Sequence, residues 1–118
     1  MEKSEKAMPR SSRKPTYPLE DLKELAIKGK FRSTLRVNCY IETRYPESDL
    51  RKVVAGVFES LSEDDFVKSV ELKNRPGTMA DVYAGGWYDS EEWYVKAFIE
   101  NETLTLQIWS MCWDGGNH

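Results

Sequence analysis

The stretch Leu61–Tyr83, LSEDDFVKSVELKNRPGTMADVY, decides how the chain folds, because a helical turn, a sharp change of period and a turn motif all fall within it. Ser62 followed three residues later by Asp65 is close to a Ser-x-x-Glu capping box, and the three acids Glu63, Asp64 and Asp65 suit the positive end of a helical turn. The spacing predicts a short helical turn over Glu63–Phe66. Beyond it, Val67, Ser69, Glu71 and Lys73 alternate with Lys68, Val70 and Leu72, a period near two, until Asn74-Arg75-Pro76-Gly77 closes the run as a turn. Lys68 therefore opens a strand directly after a helical turn, where a mobile loop meets a rigid sheet and sites gather. A lysine there also guards a strand edge against stray pairing, and the pattern alone leaves both roles open.

Upstream of this stretch the signals are helical. Pro18 pre-sets a first turn, Glu20 and Asp21 favour its positive end, and Leu19, Leu22, Leu25 and Ala26 form one apolar stripe before Gly29, predicting a helix over Pro18–Lys28. Phe31–Arg44 is ambiguous. Leu35, Val37, Cys39 and Ile41 alternate as a half-buried strand would, whereas Val37, Tyr40 and Ile41 also fit a helical face; the alternation favours strand. From Ser48, a capping candidate, Leu50, Val53, Val54, Val57, Phe58 and Leu61 follow helical spacing, and their stripe reads as core. Residues 1–15 are rich in Lys, Ser and Pro with too little apolar surface to offset their ordering entropy, so they read as a disordered basic arm.

Downstream, Val67–Lys73 and Met79–Tyr83 flank the Asn-Arg-Pro-Gly turn, Gly85-Gly86 and Asp89-Ser90 punctuate a loop, and Glu92–Glu100 and Thr103–Met111 flank a tight hairpin at Asn101-Glu102. Trp93, Val95, Ala97 and Ile99 would share one face with Leu104, Leu106 and Ile108 and pack on the helices. Tyr94, Lys96 and Phe98, with Gln107 and Trp109, would line the other. Helices first, sheet second and one covered sheet face define an α+β fold, with N-terminal helices packed on one face of a mainly antiparallel sheet and the other face left to bind. One domain is expected over residues 16–113, followed by a flexible tail at residues 114–118.

Composition bounds the function. The 118 residues are 40% hydrophobic and 31% charged, an ordinary globular balance for one domain. No apolar run is long enough to span a bilayer and the N-terminus has no signal-peptide core, so a cytoplasmic location is expected. Cys39 and Cys112, with a lone histidine at position 118, suggest neither a zinc cluster nor a disulfide framework, and each thiol is expected to be buried. No metal or cofactor is implied. A terminal His118 also makes a Ser-His or Cys-His hydrolase a poor reading. The net charge of −3 hides an asymmetry: residues 1–15 carry five Lys/Arg against two Asp/Glu, leaving 12 against 18 in the remainder. That balance is unfavourable for a general nucleic-acid binder. Yet Lys23, Lys28, Lys30, Arg32, Arg36 and Arg44 cluster against only Glu24 and Glu42, either as a local positive patch or as a solvated face.

Three stretches together resemble a known family. They are LEDLKELAIKGKFRST at Leu19–Thr34, LSEDDFVKS at Leu61–Ser69, and DVY at Asp81–Tyr83 followed by WYVK at Trp93–Lys96. Their order is similar to that of the motility quorum-sensing regulator toxins of bacterial type II toxin–antitoxin systems, which have a RelE-like ribonuclease fold. The resemblance implies an endoribonuclease (an mRNA interferase) that cleaves messenger RNA by metal-free attack of a 2′-hydroxyl and is silenced by a cognate antitoxin. It implies no membrane partner, and DNA only through the antitoxin. Lys68 matches the family's first catalytic lysine and Tyr94 its catalytic tyrosine. The family's glutamine falls on Ala80, and its C-terminal lysine falls between Trp109 and Cys112, where this chain has none. Lys96, Gln107, Arg75 and Lys73 are the possible substitutes. Lys30, Arg32 and Arg36 are candidates for phosphate contacts, and Trp87, Tyr88 and Trp109 for base stacking. The two departures favour an alternative, a catalytically decayed member that binds protein or RNA without cutting.

Overall fold

The computed structural model describes residues 10–114. Its elements are β1 (Ser11–Ser12), α1 (Leu19–Lys28), β2 (Phe31–Ser33), α2 (Leu35–Arg44), α3 (Leu50–Ser60), a 3₁₀ turn (Glu63–Asp65), β3 (Phe66–Leu72), β4 (Arg75–Tyr88), β5 (Glu91–Glu100) and β6 (Thr105–Trp113). The strands form one six-stranded sheet in the order β1-β3-β4-β5-β6-β2, antiparallel except where β2 runs parallel to β6. This is the expected α+β architecture.

The helices cover one sheet face. Leu22, Ala26, Val37, Ile41, Val53, Val54, Val57 and Phe58 meet Trp93, Val95, Ala97 and Ile108, all essentially inaccessible to solvent. Gly56 in α3 permits this approach: a Cβ there would collide with the Tyr88 ring, so the glycine's cost in helix propensity is offset by close packing. The opposite face is covered only in part. Leu72, Ala80 and Phe98 form a second small core beneath Tyr17 and Trp109, and the rest of that face stays open.

Residues 31–44 depart from the strand expectation. Only Phe31–Ser33 are extended, and a helix follows because the Thr34 side chain accepts the Val37 amide at 3.2 Å and caps it. Val37 and Ile41, four apart, then carry the burial, while Leu35 stays exposed and Cys39 is exposed rather than buried. Cys112 is buried as expected. The cap of α3 is Asp49, whose carboxylate accepts the Arg51 amide at 3.2 Å, and not Ser48.

The strands are longer than their punctuation suggests. The connection from β3 to β4 is Lys73-Asn74, so Arg75-Pro76-Gly77 lie inside β4, and Gly85-Gly86 also remain in it. Only Asp89-Ser90 turns, both with positive φ. Gly85, at φ +125°, forms a bulge between Ala84 and Gly86 instead of a loop. The last hairpin needs four residues, Asn101–Leu104, and Leu104 points outward. Of the expected arm, residues 1–9 lie outside the described residues. Residues 11–12 pair with Val70 and Ser69 at the sheet edge instead of standing away from the domain. Of the expected tail, residues 115–118 also lie outside the described residues.

Candidate functional site

The third strand residue after the capped turn is Lys68. Ser62 and Asp65 form the expected capping box, with the Ser62 amide donating to the Asp65 carboxylate at 2.8 Å. A bulge between Phe66 and Lys68 then leaves Val67 half exposed and sets Lys68 opposite Val82. Val82 in turn pairs with Lys96, and Lys96 with Ser110, so the two lysines share one rung of the open face. Tyr94, two residues earlier on β5, lies on the next rung between Ala84 and Cys112. Two further bulges flank this point. One is at Gly85; the other, between Lys96 and Ala97, leaves Trp109 as an extra residue against the Phe98 ring, 6.0 Å away between centroids. Bulges re-aim side chains, and three of them surround these residues.

A cleft of about 440 Å³ opens here, lined by Arg10, Ser11, Lys68, Lys73, Tyr94, Lys96 and Trp109 over a floor of Val70, Leu72 and Val82. Burial pulls the Lys96 ammonium below the ordinary lysine range, and the positive charges of Lys68 and Arg36 pull it further. Burial pushes the Tyr94 phenol above its ordinary value, with Cys112 and Asp114 adding to the shift. Burial and Asp114 likewise raise the Cys112 thiol, against the opposing pull of Arg44 and Arg36. Chemically, the cleft offers a concentration of cations for an anion, a lysine readier than usual to lose its proton, and a phenol that keeps its own.

The other candidate residues are spread more widely. Arg36, on α2, is close enough for Lys96 to feel its charge. Lys73 stands at the cleft's far end. Gln107 pairs with Phe98 one rung beyond Lys96, and Arg32 lies beside it on β2. Arg75 is engaged with Glu100 at 3.1 Å and stacks over Phe98. Lys30 lines a different groove, with Asp21, Glu24 and Lys28 beside α1. Tyr88 packs between Tyr45 and Trp93 and is not brought to the cleft. Trp87 is 64% exposed and pairs with Glu92, which puts it on the open face beyond Tyr94.

Sequence reasoning missed Arg10, Ser11 and the reason they are present. Asp81, fully buried in the DVY stretch, accepts the Thr16 amide at 3.0 Å and the Tyr17 amide at 2.9 Å, while the Thr16 hydroxyl meets that of Ser69 at 2.7 Å. These bonds clamp the segment before α1 against the sheet and carry β1 to the cleft wall. The one available signal was an acid in a strand otherwise reading as buried, which calls for internal donors. Ala80 lies in the second core with no polar group to offer.

No helix among the described residues is long and apolar enough to cross a membrane. A search of the curated proteins finds no match. A family model described as "Motility quorum-sensing regulator, toxin of MqsA" matches residues 14–110, which include α1, the capped turn, Lys68, Tyr94 and Lys96. The chain therefore belongs to the motility quorum-sensing regulator family, a family of toxins from toxin–antitoxin systems.

Proposed function

We propose that this toxin is an endoribonuclease that cuts single-stranded messenger RNA in the cytoplasm without a metal ion, and that a cognate antitoxin silences it. The observation that carries the reading is the convergence of Lys68, Lys96 and Tyr94 on one cleft of the open sheet face. Transesterification of RNA needs a base for the 2′-hydroxyl, positive charge for the phosphorane and an acid for the leaving 5′-oxygen. Lys96 is the base, since its surroundings lower its proton affinity. Lys68 holds the phosphorane charge, with Arg36 adding positive charge on the Lys96 side. Tyr94, whose phenol is kept protonated, gives its proton to the 5′-oxygen. The 2′-oxygen–phosphorus bond forms as the phosphorus–5′-oxygen bond breaks, leaving a 2′,3′-cyclic phosphate and a 5′-hydroxyl. Lys96 thereby takes over part of the work of the C-terminal lysine that this chain lacks.

The test is single-turnover cleavage of a long RNA. Lys68→Ala and Tyr94→Phe each slow cutting by roughly 100-fold, the low end of what acid–base and electrostatic groups supply. Cutting that survives both substitutions unchanged overturns the proposal. The apolar burial of Ala80 favours a second reading, a member that binds RNA or its partner without cutting. RNA binding by wild-type protein with no cleavage selects that one.

A further inference from the structure

The cleft has a direction, and the sheet register defines it. Tyr94 occupies one rung, Lys68 and Lys96 the next, Val70 paired with Ser11 the one after, and Arg10 lies beyond, where its carbonyl accepts the Glu71 amide at 2.8 Å. Two residues along a strand advance about 7 Å, so these groups form a track with the acid at one end and Arg10 and Lys73 at the other. Glu71 fixes Arg10 there. Its carboxylate accepts the Arg10 amide at 3.2 Å and Nε at 3.3 Å, while its other oxygen accepts the Gly77 amide at 2.6 Å. The Gly77 and Arg10 amides hold the Glu71 carboxyl below its ordinary range, so it remains ionised. Because Glu71 engages Nε, the terminal nitrogens of the guanidinium remain on the solvent side, where an anion can approach them.

From this order we infer that Arg10, with Lys73, is the binding subsite for the phosphates on the 5′ side of the cleaved linkage, and that the RNA runs 5′ to 3′ from Arg10 toward Trp87. The inference rests on the ribonuclease reading above. The 2′-hydroxyl that loses its proton belongs to the upstream nucleotide, and the 5′-oxygen that gains one belongs to the downstream nucleotide. Lys96 must therefore face the upstream side and Tyr94 the downstream side. A strand threaded in that sense continues upstream over Ser11 to Arg10 and Lys73, and downstream past Tyr94 toward the exposed indole of Trp87, a stacking surface for a base. The residues before α1 thus contribute to substrate binding, and the clamp at Asp81 is what holds them in place.

The test uses the full chain and a cut site first mapped on a long RNA. Oligonucleotides are built around that site with uncharged methylphosphonate linkages on either its 5′ or its 3′ side. Arg10→Ala raises KM by roughly five- to tenfold on the fully charged strand, the loss of one charge-assisted contact, with kcat within about twofold. That penalty disappears when the 5′ linkages are uncharged and persists when the 3′ linkages are. Arg13→Ala, which removes an exposed cation outside the cleft, changes neither constant. A penalty that follows the 3′ linkages reverses the assigned direction. An Arg10→Ala protein with unchanged KM, while wild type cuts normally, removes the subsite and leaves the ribonuclease reading standing. Failure of wild type to cut any of the strands overturns both.

Discussion

Lys96 carries its ammonium on a half-buried strand position close to Lys68 and Arg36, and this placement makes opposite demands on folding and on chemistry. Its proton affinity is lower in the folded chain than in the unfolded one. Below both pKa values the folded state bears the full cost of the extra charge; as pH rises through the lowered value, Lys96 sheds its proton and that cost is relieved. Lys96→Met should therefore raise Tm at neutral pH while abolishing cleavage, which thermal denaturation beside an RNA assay will show. The same residue separates base from mere cation. Arginine keeps the charge but does not lose its proton, so Lys96→Arg should retain RNA binding and lose at least about 100-fold in single-turnover rate. In wild type the rate should climb with pH through the lowered Lys96 value and fall through the raised Tyr94 value, giving a bell whose alkaline limb lies above pH 10 and is absent in Tyr94→Phe. Lys68 and Tyr94 were named through motifs and Arg36 as a candidate phosphate contact in a basic run; that Arg36 acts on Lys96 from another element is a property of the fold that no local pattern carries.

At the scale of elements, the sequence spoke where period and cap agreed and misled where they competed. The stripes of α1 and α3 each bury one face, and both helices were legible. In α2, alternation from Leu35 to Ile41 argued for strand, but capping by Thr34 and burial of only Val37 and Ile41 decided for helix. Thr34→Ala should consequently cost about 1 kcal/mol, the usual price of a lost N-cap, measured by urea denaturation. The three bulges that aim the site were illegible, because a bulge is a property of pairing and a single strand carries no record of its partner's register. Gly85, read as loop punctuation, is one of them. A side chain there would be forced into positive φ and pressed against the Asp65 carboxylate, so Gly85→Val should destabilise the fold and displace Tyr94 from Lys68, with cleavage falling further than stability alone explains.

Over the whole molecule, a chain of net charge −3 gathers Arg10, Lys68, Lys73 and Lys96 at one cleft against a single lining acid, Glu71, which is paired with Arg10, while other acids lie elsewhere, among them Glu20, Asp21 and Glu24 on α1. Total charge is therefore a poor guide to the local field at the cleft, and the local arrangement depends on a topology that brings residue 10 beside residue 71. RNA affinity should fall with salt as a log–log slope of about −2 to −3, as expected for three or four single-strand phosphates, and Arg10→Ala should flatten that slope by about 0.7 in a fluorescence-anisotropy titration. The claim that unites these scales is that side chains alone perform the cut. The measurement that tests it most directly is cleavage of a long single-stranded RNA by the purified protein in excess EDTA, with the new ends identified chemically. Fragments ending in 2′,3′-cyclic phosphate and beginning with 5′-hydroxyl are the predicted result; intact RNA in the presence of folded protein, or fragments with 5′-phosphates, would contradict it.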